Sequence, residues 1–456
     1  MKHILVSLLS LFMMAGSAFA QNLMTEESEN DKFQFSVKVE PFYGSYMNHS
    51  YHFDKYRPFA PKGINFGFEI PSLQKRPWQQ YMGNPTWGIG LSVIDFGHPM
   101  MGESVSIYPY LLIPAVRSNH FNLQFKVAGG LGFVTEHWYT GNVDPDNYDY
   151  HSLDVNNVFG CYLNAYLSAA VNLHFPITEK VALNGEAGYF HMSNGRTCMP
   201  NLGADVLFAG LGVITTFNTQ AKKDPIQFPD LPYKWSLNIT GAAGAHRAWM
   251  YHPLYLISSL HAGAVYSVNN WYGLGVGVDM FYNGAISDNT GRGLYCSGEL
   301  EFWDENGNPI IKPCNTCNGE YSFKDKLRAG IALNNEFRFG VVTAMVDWGV
   351  YFYNPSRNHF YAWHADNYDN GGAEKRKLFY KSSGAGSEEA FHYIRFGMKF
   401  RLTDNLYLQT SAKTHLQICE YLEFGLGYQI PFLKKGMRNG DNAIFHYKKG
   451  WWKDFE

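Results

Sequence analysis

The chain is short of charge. Asp, Glu, Lys and Arg make up 17% of its 456 residues, against roughly 25% in ordinary soluble domains. Neither sign dominates, since 37 basic and 40 acidic side chains leave a formal net charge of -3. That balance supplies no basic surface for nucleic-acid phosphates, so nucleic acid is excluded as the main partner. Past residue 20 there is no run of ~18 apolar residues, which excludes a helical membrane span. No segment shows a convincing helical period of 3.6 either. Cysteine is scarce, with six in all. Aromatic residues, by contrast, reach 17%, with 31 Tyr and 34 Phe, and Gly numbers 45. A disordered chain would lack those aromatics, and a coiled coil would lack those glycines.

Residues 1–20 begin with Lys2 and His3, continue through an apolar stretch too short to span a bilayer, and end in Ser17-Ala18-Phe19-Ala20. This is the pattern of a secretory signal peptide cut before Gln21. No Cys lies near that cut, so a lipid-anchored N-terminus is not expected. The mature chain then occupies an oxidising compartment. Cys314-x-x-Cys317 sits in a stretch rich in Gly, Asn and Pro. It lacks the βαβ context of a thioredoxin-like site and the second ligand pair of a zinc site. A structural disulfide in a long loop is expected there, with the pairing among Cys296, Cys314 and Cys317 left open.

Alternation with period two runs through almost the whole remainder. Phe33, Phe35, Val37 and Val39 alternate with Gln34, Ser36, Lys38 and Glu40, which puts apolar and polar sets on opposite faces of a strand. Similar segments occupy 64–70, 87–93, 105–113, 121–133, 159–175, 181–193, 205–217, 235–241, 254–268 and 271–282. Five more occupy 327–339, 342–352, 391–402, 406–416 and 421–432. The count is about 16 strands, within a range of 12–18. Connections are mostly short after even-numbered strands and often long after odd-numbered ones, as at 41–63, 134–158, 283–326 and 353–390. Short periplasmic turns alternating with long extracellular loops mark an all-β, transmembrane antiparallel β-barrel of the outer membrane. Closure also removes the exposed edges of so many strands. The expected organisation is a signal peptide at 1–20, a barrel over 21–432 and a basic C-terminal tail at 433–456. Trp87, Trp235, Trp271 and Trp348 at strand ends fit an interfacial girdle.

One segment carries chemistry. His191 and Ser193 stand two apart on a strand, so both point to one face with Cα atoms ~6.6 Å apart. Asp205 opens the returning strand, where its carboxylate can meet the far nitrogen of His191. This is a nucleophile, a base and an orienting acid on one hairpin. Leu183, Ala187 and Tyr189 share the register of His191 and Ser193, while Asn184 and Glu186 hold the other. The trio therefore belongs to the lipid-facing exterior. Polar groups on an apolar wall cost free energy unless paired, and a substrate that is itself a lipid gives them a purpose.

The stretch His191-x-Ser193-Asn194-Gly195, followed by Pro200-Asn201-x-Gly203-x-Asp205, resembles the lipid A 3-O-deacylases of the PagL family. The resemblance extends over a part at about 31–218. Residues 233–432 look like the extension found in acyloxyacyl hydrolase-type members. It implies that His191 is the general base, Ser193 the nucleophile and Asp205 the orienting acid, in a position where the family usually has Glu. It also implies that Asn201 helps bind the oxyanion, with a backbone amide near Gly195 and support from Asn194. The function so implied is an outer-membrane serine esterase that removes an ester-linked fatty acyl chain from lipid A of lipopolysaccharide. No cofactor and no metal are expected. Two alternatives stand beside it: a non-catalytic barrel acting as a pore or structural protein, and an outer-membrane phospholipase. His415 and Glu423, on the closing strands, imitate a base-acid pair without a hydroxyl neighbour and read as lumen or interface polar residues. Glu374-Lys375-Arg376-Lys377, in a long outer loop, reads as a solvated segment or as a contact for lipid A phosphates.

Overall fold

The computed structural model describes residues 34–47, 56, 58–72, 77–118, 120–141, 155–218, 233–247, 253–287, 299–303, 309–313, 323–355, 391–415 and 418–433. The expected signal peptide, the expected C-terminal tail beyond residue 433, Cys296, Cys314, Cys317 and the loop of Glu374 to Lys377 lie outside these residues. All sixteen expected strands are present, and every pairing among them is antiparallel.

They close as two barrels of eight strands each, where the sequence was read as a single wall. The first comprises β1 (Phe35–Tyr46), β2 (Lys62–Pro71), β3 (Thr86–Asp95), β4 (Glu103–Arg117), β5 (Asn122–Val134), β6 (Leu163–Pro176), β7 (Val181–Ser193) and β8 (Ala204–Phe217). It is sealed by β8 pairing with β1, with Val39 opposite Val213 and the rings of Phe35 and Phe217 stacked 4.9 Å apart. The second opens with β9 (Tyr233–Arg247), β10 (Leu254–Ser267) and β11 (Tyr272–Asn283). A two-stranded ribbon, β12 (Glu299–Trp303) and β13 (Pro309–Pro313), interrupts the sequence there. β14 (Leu327–Phe339), β15 (Val342–Tyr353), β16 (His392–Arg401), β17 (Leu406–His415) and β18 (Ile418–Leu433) complete the wall, and β18 seals against β9.

The polarity of both barrels is inverted relative to a soluble sandwich. In β1 the even residues Lys38, Glu40, Phe42 and Tyr46 are buried inside, while Val39 and Tyr43 are exposed outside. On the outside of β8, Leu211 is 76% exposed. An outward apolar face is what hydrocarbon requires, and Trp87, Trp235 and Trp348 stand exposed on it.

The buried charges are tied to one another, as charges taken from water must be. In the first barrel Glu186 receives Lys38 and Lys126 at 2.7 Å each, and the Asn172 amide at 2.9 Å. Tyr108, Tyr110 and Tyr166 fill the space beside them, with Lys126 over the Tyr110 ring. In the second barrel Arg395 is held by Asp347 and Asp279 at 2.9 Å. Lys399 meets Glu336 at 2.7 Å, and Glu420 takes both Arg328 and Lys413. His415 and Glu423 belong to this interior. The His415 ring bonds Tyr351 at 3.1 Å, and Glu423 accepts from Ser259 and Ser411.

Candidate functional site

The site stands on the outside of the first barrel, at the end bearing its longer connections. Register creates it. β7 and β8 pair so that His191 lies directly opposite Asp205, and β6 places Leu167 beside His191 and Ala165 beside Ser193. Because side chains alternate across a strand, Leu183, Tyr189, His191 and Ser193 emerge on one face, as Asp205, Leu207 and Leu211 do on β8. Leu183, Leu207 and Leu211 are exposed on that face, which settles its outward direction.

His191 stands between its two partners. Its Nδ1 lies 2.7 Å from Asp205 Oδ1, and its Nε2 lies 2.8 Å from Ser193 Oγ. Asp205 reaches the ring without strain on the contact, although its side chain is one methylene shorter than Glu. A further partner was not legible in the sequence: the Tyr189 hydroxyl donates to the same Asp205 oxygen. Tyr189 shares the register of His191, but an aromatic on an outer-membrane wall reads as part of the girdle. With Nδ1–H given to the carboxylate, Nε2 is the nitrogen that accepts from the Ser193 hydroxyl.

Ser193 is only 6% exposed, because the β7–β8 connection, residues 194–203, folds back over it. That connection is tied down at several points. The Asn194 backbone amide donates to Asn201 Oδ1 at 3.0 Å, and Asn194 Oδ1 accepts from the Cys198 amide at 3.2 Å. The amides of Leu202 and Gly203 donate to the carbonyls of Asn157 and Val158. Gly203 has a φ of +73° and passes so near the site that a methyl group there would stand 3.0 Å from His191 Cε1 and 3.1 Å from Ser193 Cβ. Only glycine satisfies both the left-handed backbone and the close approach.

Asn194 and Asn201 are thus brought together. The bond to Asn201 Oδ1 fixes the amide by its oxygen and leaves its NH2 as the donor end. Gly195, with φ +61°, turns its Cα toward the second barrel, where a methyl group would press on the Leu422 side chain of β18. The Arg247 amide at the end of β9 donates to the Arg196 carbonyl at 2.9 Å. The second barrel therefore braces the connection that covers Ser193. Among the described residues no group of three or more His, Cys, Asp or Glu is arranged to hold a metal ion.

Comparison with known proteins finds two family matches. Residues 62–213 match the family described as lipid A 3-O-deacylase (PagL). Residues 235–370 and 378–433 match the acyloxyacyl hydrolase C-terminal domain. No curated protein matches the chain. Among solved structures, the outer membrane enzyme PagL is similar at 14% identity and a TM-score of 0.25, over 40% of this chain and 99% of that one. Neisserial surface protein A is similar at 10% identity and a TM-score of 0.24, over 41% of this chain and 97% of that one.

Proposed function

Because the chain belongs to the lipid A 3-O-deacylase (PagL) family, with the acyloxyacyl hydrolase C-terminal domain as its second barrel, we propose that it is an outer-membrane serine esterase. Its substrate is lipid A of lipopolysaccharide, from which it removes an ester-linked fatty acyl chain. The observation that carries this reading is the contiguous chain of contacts from Ser193 through His191 to Asp205 on the lipid-facing wall. A soluble esterase presents such a set to water, whereas here the neighbours are exposed Leu183, Leu207 and Leu211. The ester of a membrane glycolipid reaches it by lateral diffusion in the leaflet.

The steps follow from the donors and acceptors. Ser193 Oγ attacks the acyl carbonyl carbon as His191 Nε2 takes its proton, and the Asp205 carboxylate holds the resulting imidazolium. The tetrahedral oxyanion takes a hydrogen bond from the Asn201 NH2, a type of contact worth about 3 kcal/mol in the transition state. Collapse breaks the ester C–O bond, and the departing sugar oxygen takes the proton from His191. Water, deprotonated by the same imidazole, then releases the fatty acid from Ser193.

The interior of each barrel is filled by paired charges and aromatic rings, which counts against a pore. The test is the mass spectrum of lipid A from a bacterium expressing the chain. Loss of one acyl chain with wild type, absent with Ser193→Ala, is expected. Identical spectra from the two overturn the reading, and lysophospholipid released in place of a lipid A acyl chain redirects it to a phospholipase.

A further inference from the structure

Two cysteines that the proposed chemistry does not use meet beside the site. Cys161 lies in the segment just before β6, and Cys198 lies in the connection that covers Ser193. β6 and β7 are neighbours, with Ala165 opposite Ser193, so the chain leaving β7 passes back along the chain entering β6. The backbones touch there. A methyl group on Gly160 would stand 2.7 Å from the Cys198 carbonyl oxygen and 2.6 Å from that of Pro200. Directly beyond, the Leu202 and Gly203 amides bond to the Asn157 and Val158 carbonyls. The Cys161 thiol donates to the Leu163 carbonyl at 3.3 Å and lies close enough to Cys198 for each to shift the other's titration. Both residues are partly exposed, so a reagent can approach.

From this juxtaposition we propose that Cys161 and Cys198 are a disulfide-forming pair that fastens the connection over Ser193 to the segment before β6. The reaction is thiol–disulfide exchange with a disulfide-bearing oxidant. The Cys198 thiolate attacks one sulfur of the oxidant, forming a mixed disulfide and expelling the other sulfur as a thiolate. The Cys161 thiolate then attacks Cys198 Sγ, forming the intramolecular bond and expelling the oxidant's second thiolate. The protein gives up two electrons and its two thiol protons; the oxidant's S–S bond accepts both electrons and its two sulfurs are protonated.

The electrostatics favour that order. The Cys161 thiol beside it, aided by the nearby Arg247 guanidinium, outweighs burial and draws the Cys198 thiol down to about 6, while Cys198 and burial push the Cys161 thiol up. Cys198 is therefore the attacking thiolate near neutral pH, and Cys161 the resolving thiol. Cys419, the other described cysteine, is at the start of β18 with its Sγ on the Tyr421 carbonyl at 3.7 Å. The bond would hold Asn194, Asn201 and Gly203 in place over Ser193. Its presence does not depend on what reaction the site performs.

The experiment is peptide mapping of the full-length protein, purified in detergent without reductant, equilibrated with oxidised glutathione and then blocked with iodoacetamide. The expected product is a cross-linked peptide pair joining Cys161 to Cys198, which separates on reduction. A second expectation uses trypsin, which cleaves after Arg196 inside the connection: cleavage there should be at least ~10-fold slower in the oxidised than in the reduced folded protein, because the bond suppresses local opening. Cys161→Ser should abolish that difference. Two glutathione adducts, two alkylated thiols, or linkage of either cysteine to a different one would overturn the proposal, as would equal cleavage rates before and after reduction. None of these readouts requires deacylase activity.

Discussion

Replacing Asp205 by Asn offers the sharpest test of the proposed acid, because one Asp205 oxygen serves both His191 and Tyr189. That carboxylate oxygen accepts from His191 Nδ1 at 2.7 Å and from the Tyr189 hydroxyl. An asparagine in its place has one oxygen and one NH2 group. If the oxygen stays with Tyr189, the NH2 faces Nδ1 and can bond only to the tautomer that carries its proton on Nε2. That tautomer cannot accept from Ser193, 2.8 Å away. Loss of the productive tautomer in a serine triad costs on the order of 10⁴ in kcat, or about 5.5 kcal/mol at ~1.36 kcal/mol per decade. Tyr189→Phe alone keeps the carboxylate and its bond to His191, so it should cost only ~10-fold, the partial loss of one charge-assisted hydrogen bond. The double variant is the discriminating one. Without the tyrosine, the Asn amide is free to turn its oxygen to Nδ1, and Tyr189→Phe should raise the activity of Asp205→Asn at least ~10-fold, the reverse of additive behaviour. The assay is the initial rate of fatty-acid release from lipid A in detergent micelles. Unboiled and boiled gel mobilities confirm that each variant holds a folded barrel. An Asp205→Asn enzyme within ~10-fold of wild type, or a double variant no faster than Asp205→Asn, would refute the reasoning.

Gly203→Ala should lower kcat by ~10–100-fold with little change in barrel stability. Its methyl group presses on His191 and Ser193 from 3.0 and 3.1 Å, and displacements of about 1 Å at a reacting centre cost on that order. Rates equal to wild type in the same micellar assay would contradict it. Leu211→Arg places a guanidinium on the most exposed outward position of β8 and should destabilise the barrel by ~2–4 kcal/mol in a bilayer. Urea titrations of vesicle-inserted protein check this, and an unchanged midpoint would mean that β8 does not face lipid.

The sixteen strands were legible because period two survives in every one of them, and so was the outward face of His191, Ser193 and Asp205, since parity alone distinguishes Ser193 and His191 from Glu186 and Asn184. The division into two barrels was not legible. Inside–outside alternation is identical whether the wall closes after eight strands or sixteen. The decision is made by pairings distant in sequence, such as Val39 with Val213 and Leu237 with Ile430, which local patterning does not encode. Tyr189 was hidden for a similar reason: its outward register was plain, but its bond to Asp205 depends on how the ring leans across to β8. The adjacency of Cys161 and Cys198 likewise arises only when β6 and β7 pair. Asn201 and Asn194 are expected at the site only through the resemblance of their motif, whereas the bond joining them, and the bracing of Gly195 by Leu422, belong to the tertiary structure.

The cross-section of each barrel is occupied, by Lys38, Lys126, Glu186 and their tyrosines in one and by Arg395, Asp279, Asp347 and Glu423 in the other. Among the described residues, neither barrel presents the open aqueous lumen that a porin needs. Under the proposed function, chemistry on surface glycolipid would be done on the outside of a cylinder whose described interior is occupied.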